Sequence, residues 1–142
     1  MGRGSSGMSG GGGAAGNWKA SSADMPALSG SEKQVNWAND IRAKALGAID
    51  NAINDSREAD QAEKDAIRRN GFASTVSMFP TPASTIEAGR EYVEAMKQAT
   101  RAKDYIDNRD RFSARNVERQ IYARAEAIDK EKHIQREKDR VR

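Results

Sequence analysis

Residues 31–70 read SEKQVNWANDIRAKALGAIDNAINDSREADQAEKDAIRRN. This stretch decides the fold. Ser31 followed by Gln34 is a capping box: a hydroxyl that can accept from the N3 amide and an amide side chain that can reach back. From there Ala38, Ile41, Ala45, Ala48, Ile49, Ala52 and Ile53 recur at helical spacing, and Trp37 and Leu46 widen the stripe. Asn54-Asp55-Ser56 leaves open a bend or restart, because Asp55 with Glu58 repeats the capping signal. Ala59, Ala62, Ala66 and Ile67 carry the stripe on to Asn70-Gly71, which ends it. Forty continuous helical residues would span about 60 Å.

Working outward, residues 71–82 (GFASTVSMFPTP) have no helical period. They read as a loop whose Phe72, Met78 and Phe79 tuck onto the helices. Ser84 with Glu87 forms another capping box. Tyr92, Val93, Met96, Ala99, Ala102, Tyr105 and Ile106 then mark one amphipathic helix to about residue 108. Ser113 caps a third, with Phe112 placed to staple against Val117, and with Val117, Ile121, Tyr122, Ala125 and Ile128 as its apolar face. After Asp129 that face stops. The segment 130–142 keeps helix propensity but offers only Ile134 and Val141 for packing.

Strand-like alternation and sequence repeats are absent. The expected fold is all-α. It has helices at about 31–69, 84–108 and 113–129, three in all or four if one divides, in a small elongated bundle. The helical domain covers 27–129, with a charged helical extension at 130–142. Eight of the 12 glycines lie in the first 16 residues, so residues 1–26 read as a flexible, disordered Gly/Ser-rich arm. Trp18 is the exception in that arm, read either as a loosely docked aromatic or as an anchor for a partner.

Composition bounds the rest. Leu, Ile, Val and Phe together number only 19 of 142 residues, against 23 Ala. Alanine lets helices approach closely but buries little area, and area sets the hydrophobic gain at about 25 cal/mol per Å². Three such helices are marginal alone, so a partner or self-association is expected to complete the fold. No Cys excludes disulfides, thiolate metal sites and a cysteine nucleophile. A single histidine, His133, lies in the charged extension and reads as a solvated helical residue. There is no Walker A or G-x-G-x-x-G sequence before a helix. The carboxylates alternate with cations (Glu87 and Glu91 with Arg90, Glu94 with Lys97, Asp129 with Lys132), which is the pattern of solvated helix faces. Catalytic residues, cofactors and bound metals are therefore not expected. A secretory leader and a span long enough to cross a membrane are also absent, which points to a cytoplasmic protein.

Residues 113–142 carry nine basic and six acidic groups. Arg115, Arg119, Arg124, Lys132, Arg136 and Arg140 are the candidate contacts to a partner or to nucleic-acid phosphates. The interleaved acids favour a solvated face over a phosphate-binding one.

Two short segments are more specific. Leu28-x-Gly30-Ser31-x-Lys33-Gln34-x-x-Trp37-Ala38-x-x-Ile41-Arg42 resembles the opening of a group of small proteins encoded by bacteriophages, plasmids and other bacterial mobile elements. Their second signature, an aromatic-Ile-Asp-x-Arg run, is similar to Tyr105-Ile106-Asp107-Asn108-Arg109 here. The residues themselves read as structural. Trp37 and Ile41 lie one turn apart, Tyr105 and Ile106 supply a facing surface, and Arg42 and Asp107 form an interhelical pair at its edge. On that reading Trp37→Ala unfolds the domain. The resemblance implies a phage or mobile-element protein working in the host cytoplasm. The expected role is non-catalytic protein–protein contact, foremost as an inhibitor of a host defence complex (anti-CRISPR-like). A nucleic-acid-binding accessory protein and a virion assembly component are the alternatives.

Overall fold

The computed structural model describes residues 18–72 and 79–141. The protein is all-α. A 3₁₀ turn, Ala20–Ser22, precedes four helices: α1 (Glu32–Asn70), α2 (Pro82–Gln98), α3 (Ala102–Asp107) and α4 (Ala114–Arg140). Among the described residues the only strand-like pairing is an isolated parallel bridge, Ser29 to Arg101. Helices α1 and α4 run in the same direction and α2 runs against both. Ser56 of α1 meets Pro80 at the start of α2, and Asp129 of α4 meets Ser84 there.

The capping box of α1 forms as its residues dictate: Gln34 N donates to Ser31 Oγ (3.3 Å) and Ser31 N to Gln34 Oε1 (3.1 Å). The far end closes on Gly71 at φ 79°, a left-handed cap that favours glycine. The soft spot at Asn54-Asp55-Ser56 neither bends into a new helix nor restarts. The Ser56 hydroxyl is buried and donates across the bundle to the Pro80 carbonyl (2.7 Å), so it does not compete with its own backbone. The core is the expected stripe. Ala38, Ala45, Ala48, Ile49, Ala52 and Ile53 are buried against Val93 and Met96 of α2 and Val117, Ile121, Ala125 and Ile128 of α4.

Three expectations are corrected here. First, α2 begins at Pro82 with Thr81 as its N-cap, not at a Ser84/Glu87 box. Ser84 N donates to Thr81 Oγ1 (3.3 Å), while the Ser84 hydroxyl donates to Asp129 Oδ1 (2.6 Å). Second, the single helix expected over 84–108 is divided. Ala99 and Arg101 are extended, and the intruding Ser29 bonds the backbone on either side of Arg101: Ser29 N donates to Thr100 O and Ala102 N to Ser29 O, both 2.8 Å. The Phe112 ring, placed to staple against Val117, lies 4.9 Å from that of Tyr105. Third, Phe72 is 65% exposed rather than tucked in. Helix α1 runs about 20 Å beyond Ser56, past the start of α2, so Phe72 emerges where no α2 surface waits for it. Phe79 does reach the bundle, edge-on to Tyr122 at 5.4 Å; Met78 lies outside the described residues.

The expected flexible arm ended at residue 26. Residues 1–17 lie outside the described residues, but 18–26 are packed, which moves that boundary. Asp50 accepts from Ala20 N (2.6 Å) and Ser21 N (3.1 Å), Ala20 is fully buried, and Trp18 lies against Gly89 under the Arg90 guanidinium (5.1 Å). Trp18 thus anchors onto its own domain. The extension 130–140 continues α4 without a break, with Ile134 and Val141 exposed.

Asp129 is the cross-helix cap of α2. It accepts from Thr81 N (3.0 Å), Thr81 Oγ1 (2.8 Å) and Ser84 Oγ (2.6 Å). Burial alone would raise its pKa, but these hydrogen bonds and the nearby Lys132 ammonium hold it below the usual carboxylate value. A depressed folded pKa contributes stability that is present above the unfolded value, near 4, and is lost as the pH falls through the folded one. Asp129→Ala should therefore cost about 1–3 kcal/mol at pH 7. The gap from wild type should narrow below about pH 4. Urea midpoints at pH 7 and pH 3 test this; a gap that stays constant would remove the charge from the account.

Candidate interaction surface

The two signature segments meet in space. The first enters through Gly30, whose φ of 143° favours glycine and whose added Cβ would sit 3.2 Å from Ala102 Cβ. This close approach seats the start of α3 against the start of α1. Tyr105 of the second segment is fully buried, and its hydroxyl donates to the Met96 carbonyl (2.8 Å) at the end of α2. Ile41 and Ile106 are half-buried beside it.

The pairings at the edge differ from expectation. Arg42 does not pair with Asp107. It donates to the Pro26 carbonyl (2.8 Å) and Asn39 Oδ1 (3.2 Å), with its guanidinium 5.9 Å from the centre of the Tyr105 ring. Asp107 accepts from Lys103 (2.8 Å), one turn back on its own helix. Trp37 stands at the edge of the contact between the two segments and is not buried in it. It is 49% exposed, with the Arg109 guanidinium over its ring at 5.5 Å. The physical reason is angular: Ala38 turns its face into the core, which leaves Trp37 at the rim. Arg109 is held in place by donating to the Ile106 carbonyl (2.9 Å).

Beside this stacked pair runs an open groove of about 410 Å³ between α1 and the start of α4. Ile41, Gly47, Ala48 and Phe112 line it, with Lys44 and Arg109 at its rim. Trp37, Ile41, Lys44 and Ala48 fall at spacings of four, three and four, one face of α1. A Cβ added at Gly47 would meet nothing within 4 Å, so no element covers α1 at that point. Sequence reading passed over Gly47, although a lone glycine inside an alanine-rich helix was a visible signal.

The basic candidates on α4 are spread along its exposed side. Arg124 is paired with Glu91 (2.8 Å) and Glu131 (3.4 Å), Lys132 with Glu87 (3.6 Å) and Arg140 with Glu137 (3.2 Å). The hydrogen bond from Arg124 also lowers the Glu91 pKa. Arg119 donates to Asn116 Oδ1 (3.4 Å). Arg115 and Arg136 are exposed without an ion pair among the described residues. Of the expected surface pairs, Glu94–Lys97 forms (2.9 Å), whereas Glu91 and Lys132 reach across helices instead. His133 is exposed.

Among the described residues no group of three or more His, Cys, Asp or Glu side chains gathers to hold a metal ion. No helix among them is long and apolar enough to cross a membrane. Compared with known proteins, the chain matches no family model, no curated protein and no solved structure.

Proposed function

We propose that this chain is a non-catalytic binding protein that engages a protein partner through the Trp37–Arg109 stack and the groove beside it. The supporting observation is the half-exposed Trp37 beside an uncovered apolar face. Trp and Arg dominate interface hot spots, and such anchors sit next to grooves that exclude water once filled. Completing that face would also bury more of a lean, alanine-rich core. In its finer form the proposal is an inhibitor of phage or mobile-element origin that blocks a host defence complex, anti-CRISPR-like, in the cytoplasm of a bacterial host. That form rests on the resemblance of the two signature segments. The nucleic-acid alternative has less support, because Arg124, Lys132 and Arg140 are already paired with carboxylates. The assembly alternative requires a virion-associated oligomer.

Trp37→Ala separates binding from folding. A cation–π contact at an exposed site contributes about 0.5–1 kcal/mol. The variant should therefore melt within about 5 °C of wild type. In a pull-down from host lysate, wild type should retain a defence-complex subunit with or without nuclease treatment, and Trp37→Ala should lose it. Loss of all partners after nuclease treatment would favour the nucleic-acid alternative. A virion-associated oligomer with no host target would favour assembly. An unfolded Trp37→Ala would return the residue to a structural role.

A further inference from the structure

Phe112 also lines a second, open cavity, of about 250 Å³, bounded by α2, α3 and α4 where the division between α2 and α3 opens the bundle. Met96, Ala99 and Phe112 give it an apolar floor, and Tyr92, Arg111 and Gln120 stand on its wall. Two other polar residues on the rim are already committed. The Asp104 carboxylate accepts from Arg101 (2.8 and 3.3 Å), and the Asn108 amide donates to the Asp104 carbonyl (2.8 Å). The Gln120 amide nitrogen is fixed by the carbonyls of Arg111 (3.1 Å) and Asn116 (3.2 Å). The Arg111 guanidinium is different: it has no ion pair among the described residues, and it lies close enough to influence Tyr92. Burial raises the Tyr92 pKa, and the positive charge of Arg111 and a hydrogen bond from the Gln120 side chain to the phenol oxygen, which leaves its O–H free to donate, oppose that rise.

An unpaired guanidinium and a phenol beside an apolar floor match one ligand chemistry. We propose that this cavity binds a carboxylate carried on a small apolar body, with Arg111 pairing the carboxylate, the Tyr92 hydroxyl donating to it, and the body lying over Met96, Ala99 and Phe112. Such a fork-shaped donor recognises a planar carboxylate by two parallel hydrogen bonds. At about 30 Å³ for a water-sized group, the cavity holds roughly eight heavy atoms. That is the size of an aromatic acid, with a mouth through which a larger ligand can extend. The same chemistry is offered by a free small acid and by the C-terminal residue of a peptide. The site shares only Phe112 with the Trp37 groove and does not depend on its role.

The test is a titration of the full chain, followed by the Met methyl and backbone amide NMR signals, with benzoate, benzyl alcohol, N-acetylphenylalanine and N-acetylphenylalanine amide. Benzoate should give saturable shifts at Met96 and Phe112, with a millimolar Kd suited to roughly nine heavy atoms. Benzyl alcohol, and Arg111→Gln titrated with benzoate, should each bind about tenfold more weakly or worse. Arg111 is exposed, and its carbonyl bond to Gln120 survives the substitution. Binding of N-acetylphenylalanine but not its amide would assign the peptide source, and binding of benzoate alone the free acid. Either result supports the site. Shifts that stay linear, that are as large with benzyl alcohol, or that persist unchanged in Arg111→Gln would overturn it. Trp37→Ala should leave the benzoate titration unchanged, so failure of the groove and failure of this cavity are read separately.

Discussion

Tyr105→Ala should lower the unfolding free energy by about 3–5 kcal/mol, the cost of removing a large buried aromatic and leaving a cavity. Tyr105 is fully buried at the junction of three elements. Its ring meets Phe112 at 4.9 Å and carries the Arg42 guanidinium at 5.9 Å. Its hydroxyl satisfies the Met96 carbonyl near the end of α2, where helical partners run out. Against a typical total of about 5–15 kcal/mol, this one truncation would leave the domain barely folded. Tyr105→Phe isolates the hydroxyl and should cost only about 1 kcal/mol, since the ring stays and the Met96 carbonyl keeps its bond from Ala99 N (3.1 Å). Urea unfolding followed by circular dichroism reads both. Equal effects from the two variants would mean that the ring is not the keystone.

The second large effect is at Gly89. A Cβ there would stand 2.8 Å from Ile49 Cγ2, 3.3 Å from Trp18 Cζ3 and 3.5 Å from Ile53 Cδ1. Ile49 is β-branched and fully buried, so it has little freedom to move aside. Gly89→Val should therefore destabilise by about 3 kcal/mol, near the upper end for overpacking. The expected signature is local as well as global: Trp18 is displaced, and its fluorescence shifts to the red before the bundle unfolds. Gly47 provides the opposite sign. It too lies inside a helix, here α1, but its Cβ position is open. Gly47→Ala should stabilise by up to about 1 kcal/mol through helix propensity alone. If both substitutions moved stability in the same direction, the close approach of α1 and α2 at Gly89 would not be what sets the spacing.

The helices themselves were legible because their causes are local. Ser31 and Gln34 cap within one turn, Gly71 ends α1 by its own backbone freedom, and Ser113 caps α4 by accepting from Asn116 N (3.4 Å). The Ala/Ile stripe from Ala38 to Ile53 became the core because a period of 3.6 selects one face whatever that face packs against. The two signature segments were marked as facing surfaces, and Tyr105 does face α1 through Arg42. Their geometry was not legible. Trp37 reads as widening the stripe that starts at Ala38, yet it stands half-exposed at the rim while Ala38 is fully buried.

What the chain alone determined is therefore the set of elements: an all-α protein, a long first helix, a thin alanine-rich core and a charged helical end. What only the tertiary structure decided is where those elements break and what they leave open. Nothing near Thr100 announces the break between α2 and α3; it is made by Ser29, 71 residues away, which takes the hydrogen bonds that a continuous helix would have used. Asp129 caps a helix 45 residues before it, and Asp50 holds Ala20 from 30 residues further on. The same long-range packing leaves Trp37, the groove at Gly47 and the Arg111 guanidinium unsatisfied at the surface. Local pattern records which residues can pair within a turn. Hydrogen bonds and close approaches between distant segments depend on how the helices are placed, and that placement exists only once the whole chain has packed.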